Sequence, residues 1–111
     1  MKHTKVEIEQ MIKKLLKDVK RPYFDHMPFK IDEEKNVTPL FSEKKIRNAW
    51  RVVVYVQEDQ FPDKEEYSVI VIIINDDNGE IVSYADMSCG RPLPRKAKLD
   101  DDGNYTFAPI K

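Results

Sequence analysis

The chain has 111 residues, of which 35% are charged, yet the charges cancel to a net value of -1. That balance excludes attraction of the whole molecule to nucleic acid or an anionic membrane and leaves any electrostatic partner to be met by a local patch. The length suits one domain over residues 1–111, large enough to bury roughly 65% of its unfolded surface, and Cys89, the single cysteine, rules out an intramolecular disulfide.

Thr4 to Glu7 has the form of a capping box. Behind it Ile8, Met11, Ile12, Leu15, Leu16 and Val19 recur at helical spacing, with Lys13, Lys14, Lys17, Asp18 and Lys20 on the opposite side. This spacing predicts an amphipathic helix over about residues 4–20, stopped by Arg21-Pro22. The polar start that leads straight into this helix is neither a secretion signal nor a membrane span, so a cytoplasmic location is expected.

Residues 22–39 mix apolar and charged side chains. A short strand is expected near Phe29 and Ile31, then a solvated turn over the acidic residues 32–36, and a helical turn capped by Ser42. At residues 49–56 the period becomes two. Trp50, Val52, Val54 and Val56 form the face that should receive the helix, and Arg51, Val53, Tyr55 and Gln57 the face nearer solvent.

A polar connection over 58–66 leads to six consecutive β-branched residues, 69–74, which predict an inner strand covered on both sides. Asn78-Gly79 then turns the chain into a third strand at 80–84, because both residues tolerate positive φ. Prolines 92 and 94 interrupt the sheet, and a last hairpin across 100–103 is expected at its edge. The whole reads as α+β: one long N-terminal helix packed on a curved antiparallel meander of four to five strands over about 49–108.

Few residue groupings carry chemistry. The aspartates at 100–102 and the turn at 75–79 lack the ligand spacing of a calcium hand, and His3 and His26 lack paired spacing for zinc, so no metal and no cofactor is expected. Arg91, Arg95, Lys96 and Lys98 have no interleaved aromatic residues to stack bases, so no nucleic-acid role is assigned to them. Asp25, His26 and Cys89 are the residue types of a thiol nucleophile with its base and orienter, and they define the enzymatic alternative. The acidic set Glu58, Asp59, Asp63, Glu65, Glu66, Asp76 and Asp77, with Phe61 among them and Tyr55 nearby, suits the grip on a basic protein partner.

The helix followed by Trp50-x-Val52, Tyr67-x-Val69-x-Val71 and Asn78-Gly79-Glu80-Ile81 resembles the small cystatin-like and nuclear-transport-factor-like α+β domains. It is similar in particular to single-domain immunity proteins that neutralise bacterial toxins, and to the extracytoplasmic PepSY-type inhibitory domains. The resemblance implies a helix lying across a curved sheet. It also implies a binding role, since one long helix is expected here where the enzymes of the group are lined by several. The expectation is a non-catalytic module, monomeric or weakly dimeric, that occludes a cognate toxin through Tyr55, Phe61 and the loop carboxylates. The alternative is a small enzyme or ligand-binding domain with Asp25, His26 and Cys89 at a cavity between helix and sheet, and a third reading is a structural subunit that pairs its sheet edge with a copy of itself.

Overall fold

The computed structural model describes residues 2–24, 26–38, 45–57, 67–89 and 95–109. The helix α1 (Lys5–Asp18) is followed by the strands β1 (Lys30–Val37), β2 (Ile46–Gln57), β3 (Tyr67–Asn75), β4 (Ile81–Asp86), β5 (Arg95–Leu99) and β6 (Tyr105–Pro109), with a 3-10 turn, Met87–Cys89, after β4. Among the described residues the strands form one antiparallel sheet in sequential order, β1 to β6.

The capping box that starts α1 is complete. The Thr4 hydroxyl accepts the Glu7 N–H at 3.2 Å, and the Glu7 carboxylate accepts the Thr4 N–H at 3.0 Å. Two of the amides that a helix start leaves without partners are thereby satisfied. Thr4→Ala should lower stability by about 1 kcal/mol, read as a shifted denaturant midpoint at unchanged slope.

The helix ends in a Schellman motif. The Arg21 N–H donates to the Leu16 carbonyl at 2.9 Å, the Lys20 N–H donates to the Lys17 carbonyl at 3.2 Å, and Lys20 takes φ 58° where glycine is the usual occupant. Beyond it, Arg21 fastens the chain to the sheet, its Nε donating to Asp86 Oδ2 at 2.9 Å and its Nη2 to Ser88 Oγ at 3.0 Å.

Ile8, Ile12, Leu15 and Leu16 lie buried against Trp50, Val52, Val54, Val56, Ile70, Ile72, Ile74, Ile81, Tyr84 and Ala97, with Met11 and Val19 partly buried beside them. The helical stripe and the strand alternation thus meet on the predicted face. The register Trp50↔Ile74, Val52↔Ile72 and Val54↔Ile70 holds the apolar side chains in step.

Three details correct the sequence reading and a fourth adds to it. Among the described residues the sheet has six strands, not four to five. The polar residues 32–36 lie within β1 and form no solvated turn, because an edge strand needs apolar contact on one face only. Ile31 supplies it by packing on the core while Asp32 and Glu33 stay exposed. The run 69–74 is not covered equally on both sides: Ile70, Ile72 and Ile74 are fully buried beneath α1, whereas Val69 and Val71 on the other face are half-buried. Finally, β3 and β4 slip register between Ile73 and Ile74, so that Val82 is an extra residue that packs near Ile73 while Ile81 still faces the core. The helical turn expected at Ser42 falls outside the described residues.

The two tight hairpins form as predicted. At 75–80 the Gly79 N–H donates to the Asn75 carbonyl at 2.8 Å with φ 71° at Gly79, and at 100–104 the Asp100 carboxylate accepts the N–H groups of Asp102 and Asn104, each at 2.9 Å.

Candidate protein-binding face

The sheet face turned away from α1 has a small apolar cluster of its own at one end, where Ile46, Ala49 and Ile73 are buried and Val37 and Val82 pack on them. Toward the other end of β2 and β3 the side chains of Val53, Tyr55, Val69 and Val71 are half-buried, and Tyr67 is 55% exposed. Strand alternation puts them on one surface, since Val53 pairs with Val71, Tyr55 with Val69 and Gln57 with Tyr67. Tyr55 and Tyr67 meet edge to face with ring centroids 5.3 Å apart, an arrangement in which each ring stiffens the other. On the β1 side this strip is bordered by a charged pair, Arg51 Nε to Glu34 Oε1 at 2.8 Å.

Of the residues expected to contact a partner, Tyr55 lies on this surface. Glu58, Asp59, Phe61, Asp63, Glu65 and Glu66 fall outside the described residues, but the connection that carries them leaves from Gln57 and returns at Tyr67, the last pair of the β2–β3 ladder. The acidic connection is therefore rooted beside the tyrosine pair. Asp77 is exposed in the turn after β3, at the far end of that strand, roughly 27 Å away at about 3.4 Å per residue over eight steps. The turn that carries Asp77 and the roots of the acidic connection at Gln57 and Tyr67 thus stand at opposite ends of β3.

Asp76 requires the largest correction. It was grouped with the surface carboxylates, yet it is 1% exposed and accepts four hydrogen bonds. Oδ2 accepts the Lys2 N–H at 2.6 Å, and Oδ1 accepts the His3 N–H at 2.9 Å and the Trp50 Nε1–H at 2.9 Å and lies 3.1 Å from His3 Nδ1. Its own N–H donates to the Asn48 carbonyl at 2.9 Å. Burial pushes this carboxyl up, but the hydrogen bonds from the Lys2 N–H, the Trp50 indole and His3 outweigh it and hold the group well below the usual carboxylate range. Asp76 is the peg on which the residues before α1 are hung.

The Asp25 position and the Cys89 side chain fall outside the described residues. His26 is exposed, its ring 5.4 Å from that of Phe24. Among the described residues, no three side chains of His, Cys, Asp or Glu are grouped so as to hold a metal ion, and no helix is long and apolar enough to cross a membrane. Sequence reasoning overlooked Tyr67 as a surface residue. The signal was present in the alternation 67, 69, 71 opposite that of Arg51, Val53 and Tyr55, which puts two tyrosines on one face.

No protein-family model, curated protein or solved structure matches the chain. The class of molecule is set by its architecture, α+β with one helix on an antiparallel sheet among the described residues.

Proposed function

We propose that this domain is a protein-binding module of the immunity type, a cytoplasmic inhibitor that occludes a cognate bacterial toxin. The observation that carries the reading is the Tyr55–Tyr67 pair, with Tyr67 55% exposed on an aliphatic sheet face and the acidic connection rooted at its base. Tyrosines of this kind bring large contact area at low entropic cost, and carboxylates around them select a positively charged partner. The module works as a monomer or weak homodimer. Tyr55, Tyr67 and Phe61 make the apolar contact, and Glu58, Asp59, Asp63, Glu65 and Glu66 meet the cations of the toxin's cleft. Asp77 reaches only a partner long enough to span the sheet.

The test is co-expression with any toxin domain found encoded in its gene neighbourhood. Growth is rescued and a one-to-one complex is isolated, and Tyr67→Ala weakens that complex about 30-fold, the effect of losing roughly 2 kcal/mol at an aromatic anchor. Cells that die at the same rate with and without this protein would end the proposal.

A further inference from the structure

A second surface lies on the helix-bearing face of the sheet, away from the face of the tyrosine pair but at the same end of β2, where the Phe24 N–H donates to the Tyr55 carbonyl at 2.9 Å. Between the outer flank of α1 and the segments 20–23 and 27–29 runs a groove with two parts of about 590 and 200 Å³, which share Lys13 and Tyr23 in their walls. Its floor is apolar: Leu16 is almost fully buried, and the half-buried rings of Tyr23 and Phe29 lie 5.3 Å apart. Its rim is basic, from Lys13, Lys17, Lys20 and Arg21. Glu9 is the one acidic residue among the described lining residues, and it is 3.7 Å from Lys13. Arg21 is engaged with Asp86 and Ser88, while Lys17 and Lys20 form no salt bridge among the described residues.

Lys20 adds an independent observation. It occupies the left-handed position of the Schellman motif at φ 58°, where a side chain is strained and glycine is favoured. The fold keeps a lysine at a site where glycine would cost less, and that lysine stands at the groove's rim.

We propose that this groove is a docking site for an acidic peptide segment that presents an apolar side chain. Cations around a recessed apolar floor match a carboxylate-flanked aromatic or aliphatic residue, which can reach into the groove while its neighbours meet Lys17 and Lys20. A bilayer surface fits less well, because Leu16 is almost fully buried and Tyr23 and Phe29 are half-buried, which leaves little apolar side chain to insert among lipid tails. The proposal does not depend on the toxin reading, since it concerns a different face.

The test uses the full chain and a dye-labelled peptide, Glu-Glu-Phe-Leu-Glu-Glu, followed by fluorescence anisotropy. A lysine-for-glutamate version of the peptide and vesicles of phosphatidylserine with phosphatidylcholine serve as comparisons. Saturable binding of the acidic peptide alone is expected, weakening as salt is raised. Lys17→Glu combined with Lys20→Glu should lower the affinity about tenfold or more. Lys20→Gly separates the roles of the residue: it relieves the backbone and raises the thermal midpoint, yet weakens peptide binding. Absence of saturation, affinity unchanged by Lys20→Gly, or binding to the vesicles without binding to the peptide would each overturn the proposal.

Discussion

Asp76→Asn should lower the free energy of unfolding by about 3 kcal/mol at neutral pH, because the amide offers its own N–H groups to a cage of donors and leaves at least one of them unpaired. The cage consists of the Lys2 and His3 backbone amides and the Trp50 indole, all aimed at one 1%-exposed carboxylate. The pH dependence follows from the direction of the shift. The Asp76 pKa is lowered on folding, so the unfolded chain takes up a proton first, and the ionised group's contribution is complete above the unfolded value of 3.8 and shrinks as pH falls below it. Urea titrations of the parent and Asp76→Asn between pH 7 and pH 2.5 should therefore draw together as pH falls below 3.8, with part of the gap remaining at pH 2.5 because the folded group gives up its charge only at still lower pH. A gap that stays constant across that range would show that the charge of Asp76 is not what holds the cage.

The second large effect compares two neighbours on β3. Ile72→Ala removes a fully buried side chain from beneath α1 and should cost about 4 kcal/mol, whereas Val71→Ala, half-buried on the other face, should cost about 1 kcal/mol. Chemical denaturation of the two variants checks the contrast. Equal losses would mean that the two faces of the sheet are equally shielded in the free protein, and the tyrosine-bearing surface would no longer be an available contact area.

Much of the fold was legible because its signals are local and periodic. The capping box, the stripe from Ile8 to Val19 and the alternation from Trp50 to Val56 each declare a face, and these faces meet in the core. Only the start of β1 near Ile31 was legible; its continuation to Val37 was hidden because Asp32, Glu33 and Glu34 look like a turn when read alone. Only pairing with Arg51, Trp50 and Ala49 in β2 makes them a strand, an instance of tertiary context overriding propensity. The candidate site was harder to read. Grouping the acidic connections overlooked a rule of antiparallel meanders, in which successive connections lie at opposite ends of the strand they share. Asp76 was unreadable for another reason: its neighbours Asn75, Asp77 and Asn78 mark a polar turn, while the donors that define its role come from positions 2, 3 and 50.

The Asp18 carboxylate accepts the Tyr105 N–H at 3.0 Å, a bond that joins the end of α1 to the start of β6 across 87 positions of sequence. Lys14 holds the same carboxylate at 2.6 Å and lies 5.6 Å from the Tyr105 ring centroid. During synthesis the helix emerges before Tyr105, so the amphipathic segment goes without this anchor until 87 further residues have been made. A ribosome stalled before Tyr105 would thus hold a chain whose leading helix can still be captured by a chaperone.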